Sequence, residues 1–487
     1  MRDVSTSLDM IRGLLEDRRT LWVIASLIIL LFAVANLPWQ LDDYDQAKQA
    51  FTSFEMVKEG HWLYQHTPHE GVATKPPLIG WISAALFAVI RSWEIAWRLP
   101  SLVTALALMI VLFCAAKNAY GRSAAVIAAG AFGLNLLSPR LATLVRTDMP
   151  LAFAIFLIGL LIWQNVRRGD EWNLRNQVYI FVLLTSAMLI KGPIIYAFLL
   201  PGIALFQLRV RWPSAPKTNS GSAWPGWWPW VASLAIFLIW LAGGVRFQLG
   251  FYDEVVMREF VGRFGETIHR PQPLLFYLPH LLHKFAPWSV LMIGIATVGL
   301  RSRNWRLRSV FREMSPETFW LLCWSIGGLI VMSLIPSKRV DRIFPVIPPL
   351  CLLLAAQVAL ARTYRWSALA LVLAILFIGG YTGWKVMTGY RDHRDALAVF
   401  GRNIRYEAEV RRWRYEVVSA KDEGLLLYLR KTRFIAPQLA VTEWNDGNLD
   451  ALVASTEKAE MLMPKLRDAV LSELKAAQPL DYILITR

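Results

Sequence analysis

The sequence predicts an all-α polytopic membrane domain followed by a small C-terminal soluble α/β domain. Three observations predict it. Apolar residues make up 55% of the chain and 22 residues are Trp, a composition that soluble domains seldom have. Apolar stretches of about 15–20 residues recur along the chain, as membrane-spanning helices require. Beyond Met387 those stretches stop, and short mixed segments take over.

The first span is LWVIASLIILLFAVANLP (21–38), behind Arg12, Arg18 and Arg19. Its AVA at 33–35 resembles a signal-peptidase site, but more spans follow, so the segment is read as an uncleaved first span. SLDMIRGLL before it fits a short amphipathic helix on the cytosolic surface. Further spans are expected at 99–116, 123–138, 148–165, 177–190, 194–208, 228–245, 285–300, 318–335, 343–360 and 366–383, about eleven transmembrane helices in all. The loop 301–314 carries five Arg and one Glu, so it is expected inside. Parity then puts 246–284 outside and 209–227, 166–176 and 117–122 inside. LIGWISAALFAVI (78–90) reaches about 20 Å as a helix, short of a hydrocarbon layer of about 30 Å. It is read as dipping in or lying at the interface without crossing. The N-terminus then stays inside, and Lys75 lies outside with Asp148, Arg270 and Lys338.

Two domains are expected, 1–385 in the membrane and 386–487 outside it. In the second, RWRYEVVSA, AEMLMP and DYILITR read as strands, and EGLLLYLRK and KLRDAVLSELK as helices. No Gly-rich phosphate loop occurs there. Cys114, Cys323 and Cys351 fall inside expected spans and read as small apolar packing residues, without a disulfide or metal-ligand spacing.

The formal net charge is +16. Part is the usual Arg excess of cytoplasmic loops; the rest suits an anionic ligand or lipid headgroups. No aromatic–basic module marks a nucleic-acid partner. The chain is read as a monomer.

The outer loops collect the chemistry. LDDYDQAKQAFTSFEMVKEG places Asp43 and Asp45 before apolar residues at helical spacing, as for a helix lying on the membrane. RTDMPLAF places Asp148 at the mouth of a span, where a carboxylate needs an offsetting partner or an N-capping role. Cations face the same compartment: Arg258, Arg263, His269 and Arg270 in MREFVGRFGETIHRPQP, Lys338, Arg339 and Arg342 in PSKRVDR, and Lys75 and Lys191 at span edges. Guanidinium groups bind phosphate bidentately and ammonium groups bind it as point charges, so a phosphate-bearing ligand explains the set. In TKPPL, two prolines are expected to extend the backbone and aim Lys75 along the membrane surface. His61, His66, His69 and Glu70 have no zinc-site spacing, and no metal or other cofactor is assigned, with a divalent metal left open.

Taken in order, Asp45, EMVKEGHW, KPPL, RLPS (98–101), RTDMPL, IKGP (190–193), HRP and SKR…FPVIPPL resemble the C-type membrane glycosyltransferases that use polyprenyl-phosphate sugars. The likeness is greatest to the bacterial lipid A aminoarabinose transferases and protein-mannosyltransferase-like enzymes, over roughly residues 20–360. The resemblance implies interfacial helices in the first outer loop and inverting transfer of one sugar from a lipid phosphate, undecaprenyl phosphate in bacteria. It implies a lipid A, lipopolysaccharide or other envelope acceptor, and an active site on the periplasmic face of the inner membrane. Asp45 and Asp148 are then the expected catalytic carboxylates. Lys75, Arg270, Lys338, Arg339, Arg258 and Arg263 are expected at the lipid phosphate, with Asp43, His269, Lys191 and Arg342 as further pocket residues. Two departures stand out. Relatives usually read Asp-Glu where this chain has Asp45-Gln46, and often have Glu at Thr74, so a metal shared between that Glu and the HRP histidine is not expected. A protein O-glycosyltransferase of the same fold is the alternative acceptor reading. A lipid transporter would instead show charged or broken segments at mid-membrane and paired halves, and neither is seen.

Overall fold

The computed structural model describes residues 10–41, 44–69, 71–210, 221–262, 271–306, 310–311, 313–418, 423–477 and 481–487. Asp43, Glu70, Arg263, His269 and Arg270 lie outside the described residues.

Helices dominate the first four-fifths of the chain: α1 (Arg18–Val34), α2 (Tyr44–Glu59), α3 (Leu78–Ile90), α4 (Leu99–Tyr120), α5 (Arg122–Gly133), α6 (Asp148–Arg168), α7 (Leu174–Lys191), α8 (Ile194–Val210) and α9 (Trp228–Phe247). A π-helical segment, Tyr252–Val261, leads to α10 (Tyr277–Lys284), α11 (Trp288–Arg301), α12 (Pro316–Leu334), α13 (Ile347–Ala361) and α14 (Tyr364–Arg391). Among the described residues, six helices are long and apolar enough to cross a membrane: Trp93–Tyr120, α6, α9, α12, Val340–Ala361 and α14. The pair α10 and α11 qualifies only as one span bent by 103°, which would make seven. The remaining expected spans are helical too, but α1, α5, α7 and α8 have 17, 12, 18 and 17 residues. Twelve residues rise only about 18 Å. The expectation of about eleven full crossings is not confirmed: among the described residues six or seven helices qualify by length and composition, with shorter apolar helices packed among them.

Three contacts gather the loops expected inside at one end of the bundle. Ser123 Oγ donates to Glu16 Oε1 at 3.0 Å, Asn165 Nδ2 to the Ser222 carbonyl at 3.0 Å, and Arg209 Nη2 to the Met314 carbonyl at 2.7 Å. The opposite end holds α2. Segment α3 begins beside it and the chain after α3 comes back to it: Phe54 and Trp93 rings meet at 5.7 Å, and Trp97 Nε1 donates to Ser53 Oγ at 2.9 Å. Both ends of α3 thus lie near α2.

The C-terminal part comprises α15 (Ala396–Arg411), β1 (Tyr415–Val417), α16 (Glu423–Leu429), α17 (Pro437–Asn445), β2 (Ala451–Ser455), α18 (Thr456–Leu462), β3 (Val470–Lys475) and β4 (Tyr482–Thr486). The sheet order is β1-β2-β4-β3. Strands β1 and β2 run parallel with Tyr415 opposite Ala451, and β4 runs antiparallel to both β2 and β3. Helix α14 passes through position 385 unbroken and carries the chain to this unit. Two local expectations fail. AEMLMP is helical because Ser455 caps α18, its side chain accepting from the Lys458 amide. KLRDAVLSELK yields strand β3, because pairing with β4 outweighs a helix-like local pattern. Strand β2 is a further strand that sequence reading missed. The unit packs on α2: Leu41, Phe51 and Phe54 share a core with Leu397, Phe400, Leu425 and Leu426. It therefore sits at the same end as the carboxylates and cations described next.

Candidate active site

Each charged side chain of the site is set at the end of an element. Asp45 lies in the first turn of α2, and Asp148 in the first turn of α6, where the helix dipole favours a carboxylate. Lys191 closes α7, where the dipole favours a cation. Gly192 (φ +75°) then turns the chain sharply, and a Cβ there would meet the Phe260 ring at 2.9 Å, which accounts for IKGP. Antiparallel α6 and α7 so bring Lys191 Nζ to Asp148 Oδ1 at 2.6 Å, with both side chains largely buried. Removing one partner leaves a buried charge unpaired, which costs roughly 3–5 kcal/mol. Thermal unfolding of Asp148→Ala and Lys191→Ala should each show a large loss, and the double variant should recover part of it.

Asp45 is paired with the Arg339 guanidinium and lies 3.7 Å from Arg146 Nη2. Arg146, only 6% exposed, also donates to Asp341 Oδ2 at 2.8 Å, and Arg140 reaches Asp341 at 3.3 Å. Burial opposes the charge on Asp45, but Lys75, Arg339 and Arg146 outweigh it and hold the carboxyl below its usual range. Asp45 is therefore ionised throughout the neutral range and is a weak proton acceptor.

Lys75 sits in the bend ahead of α3. The expected straight extension is not formed: the backbone bends at Thr74 and Lys75, and Pro77 already has helical angles, φ −83° and ψ −11°. A proline's fixed φ suits a helix entry as well as an extended chain. Loss of hydration draws the Lys75 ammonium down to about 8; Asp45 opposes this, Lys191 adds to it, and Asp148 opposes it. Every carboxylate of the cluster already has a cation within 4 Å, whereas among the described residues Lys75 makes no ion pair at that range.

Sequence reasoning placed Asp45, Lys75, Asp148, Lys191 and Arg339 together, and the structure brings them together. Three further cations are used locally. Lys338 Nζ donates to the Gln272 carbonyl at 2.9 Å, Arg342 Nη1 to the Ser337 carbonyl at 2.6 Å, and exposed Arg258 pairs with Glu254 at 2.7 Å. Arg342 remains near enough to feel the charges of Asp148 and Asp45. Asp43, Arg263, His269 and Arg270 belong to the segments outside the described residues. Arg146 and Asp341 were missed, although both lie two residues from a chosen residue in the quoted motifs. The signal for Arg146 was a charge beside an apolar run, which needs a partner, and that for Asp341 was a lone acid between Arg339 and Arg342.

Beside the first turn of α2 lies a cavity of about 400 Å³. Gln46, Arg98, Arg140, Lys284, Lys385 and Arg394 line it, and among the described residues no Asp or Glu does. Arg98 is 4% exposed; its guanidinium covers the Trp39 ring at 5.1 Å and donates to the Glu94 carbonyl at 2.8 Å. Gln46 Oε1 accepts from the Val145 amide at 3.2 Å, so this amide fixes α2 between the ion-pair cluster and the cavity.

Residues 74–241 match the family model of dolichyl-phosphate-mannose-protein mannosyltransferases. Over 363 residues the chain is 25% identical to the undecaprenyl phosphate-alpha-4-amino-4-deoxy-L-arabinose arabinosyl transferase 1 of Sodalis glossinidius, covering 70% of this chain and 60% of that protein. It is 25% identical over 377 residues to the corresponding transferase of Pectobacterium carotovorum subsp. carotovorum, covering 73% and 65%. The matched region thus spans less than two thirds of the length of these relatives. The fold is similar to that of ArnT from Cupriavidus metallidurans bound to undecaprenyl phosphate, with a TM-score of 0.67, 18% identity, and 95% of this chain and 97% of that chain covered.

Proposed function

We propose that the chain is a membrane glycosyltransferase that uses polyprenyl-phosphate sugars, and that it moves a single sugar from undecaprenyl phosphate to an anionic envelope acceptor such as the lipid A part of lipopolysaccharide. The reaction takes place at the periplasmic face of the bacterial inner membrane. The observation that carries this reading is the imbalance in the ion-pair cluster: three carboxylates are matched by arginines and Lys191, and among the described residues Lys75 stands beside them without an ion pair.

The donor is a phosphodiester, and its departing lipid phosphate gains about one negative charge as the glycosidic bond breaks. Lys75 receives that phosphate, with Arg339 near it across Asp45; Arg270 is assigned to the phosphate from the sequence alone. Preplaced cations favour the transition state over the ground state, because the charge they meet is larger there. Such a leaving group needs no acid. Asp45, facing the anomeric carbon from the other side, stabilises positive charge on the sugar and orients the incoming nucleophile. Its carboxyl is held below the usual range, so it is poorly matched to taking a proton from a neutral hydroxyl. A phosphate acceptor is already a nucleophile, and the cationic cavity next to Gln46 suits one. Asp148, neutralised by Lys191, supports the sugar side.

Liposomes containing the protein, a polyprenyl-phosphate sugar and phosphorylated lipid A test this by mass spectrometry. Sugar should appear on the phosphorylated acceptor and not on its dephosphorylated counterpart. Transfer to a neutral hydroxyl or a peptide instead would favour a protein O-glycosyltransferase, and no transfer from any polyprenyl-phosphate sugar would end the reading. Lys284→Glu and Arg394→Glu should each raise KM for the acceptor roughly tenfold, about 1.4 kcal/mol, with kcat little changed.

A further inference from the structure

A second polar cluster lies away from the ion pairs, at the far end of α2. Glu55 is 2% exposed, and its Oε1 lies against His61 Nδ1 and 3.6 Å from His66 Nδ1. Gly60 (φ +84°) ends α2 and turns the chain back, which brings His61 over the helix it has just left. Residues 65–67 then pair with 71–73: His66 bridges Val72, the Thr67 amide donates to the Gly71 carbonyl at 2.7 Å, and the Ala73 amide to the Gln65 carbonyl at 2.7 Å. The two imidazoles meet edge to face, with ring centres 4.3 Å apart. One ligand atom from each of Glu55, His61 and His66 falls within 4.8 Å of the others. Two buried atoms of this group, Glu55 Oε2 and His66 Nδ1, have no hydrogen-bond partner. A buried carboxylate oxygen and a buried ring nitrogen left without partners are both destabilising, and one cation would satisfy both.

We propose that Glu55, His61 and His66 bind a divalent transition metal, zinc by ligand chemistry. Two imidazoles and one carboxylate suit Zn²⁺, and the half-exposed His61 side leaves a fourth position for water. Magnesium and calcium prefer oxygen sets and are poorly served by two imidazoles. His69 is not a member: its ring stacks on Phe434 at 5.3 Å and ties the same loop to the C-terminal unit. Glu55 is ten residues along α2 from Asp45, about 15 Å of helix axis, so the metal does not touch the reacting sugar. Its place is to pin the paired segments 65–67 and 71–73, which lead into Lys75, onto the helix that carries Asp45. The site is independent of the proposed sugar transfer.

The test is zinc binding by full-length protein in detergent, stripped with chelator and then titrated with ZnCl₂. Roughly one equivalent should remain after desalting, measured by elemental analysis, and the melting temperature should rise with zinc. His61→Ala and His66→Ala should lose both effects, and His69→Ala should keep them. His61 is 46% exposed, so its loss should leave the stripped protein folded with an unchanged melting temperature in chelator. Wild-type protein that retains no zinc and shows no thermal shift overturns the proposal. So does undiminished binding in both His61→Ala and His66→Ala.

Discussion

Asp45→Asn should lower kcat for sugar transfer by about 10²–10³-fold with the protein still folded. The substitution removes a charge and keeps the volume. Arg146 retains its 2.8 Å bond to Asp341, so the buried part of the network survives and the melting temperature should change little. What is lost is the negative charge opposite the departing phosphate, where the sugar becomes positive. An interaction made mainly in the transition state appears in kcat, and substrate binding should be spared. Steady-state kinetics in liposomes, with unfolding monitored alongside, checks this. A fall confined to KM would move Asp45 from the chemistry to donor binding.

The second large effect is a pH dependence governed by Lys75. Its ammonium is drawn down to about 8 by loss of hydration, so it is charged below that pH and neutral above it. The proposed role needs the charged form. kcat/KM, which reports the free enzyme, should therefore fall as pH rises through about 8. A bound phosphate stabilises the ammonium, so the fall in kcat should come at higher pH. Lys75→Ala should cost about 10²–10³-fold and abolish the alkaline fall. Lys75→Arg should also abolish it, because a guanidinium stays charged, although its planar fork will not reproduce the position of an ammonium. Rate profiles from pH 6 to 10 for the three proteins decide the matter. An alkaline fall that persists in Lys75→Arg assigns the titration to another group.

The sequence was legible where one physical rule dominated. Long apolar runs gave α4, α6, α9, α12, α13 and α14. The Arg-rich loops and the short run 78–90 gave the sidedness that brings Asp45, Lys75, Asp148, Lys191 and Arg339 to one end. It was less legible where partners decide the outcome. Twelve apolar residues look alike whether they cross a bilayer or pack inside a bundle, so α5 was read as a span. Strand β3, whose side chains are largely exposed, exists because β4 is beside it, and nothing within 470–475 announces that. The cations showed the same limit. Their clustering marked Lys338 and Arg258 as phosphate ligands and Arg342 as a pocket residue, and it did not show that a carbonyl or a neighbouring glutamate one turn away also engages each of them. Glu55 was hidden for the opposite reason: on an amphipathic helix an acid at helical spacing reads as a solvent-facing residue, and only the turn at Gly60 folds His61 back onto it.

The central claim is a division of labour: Lys75 grips the lipid phosphate, and Asp45 acts across from it on the sugar. Equilibrium binding of undecaprenyl phosphate to the purified protein separates these roles most directly. Lys75→Ala should weaken binding at least about tenfold, some 1.4 kcal/mol, while Asp45→Asn should bind as tightly as the unaltered protein or more so, since it removes a competing negative charge. Equal affinity for the unaltered protein and Lys75→Ala, or loss of binding in Asp45→Asn, would contradict it.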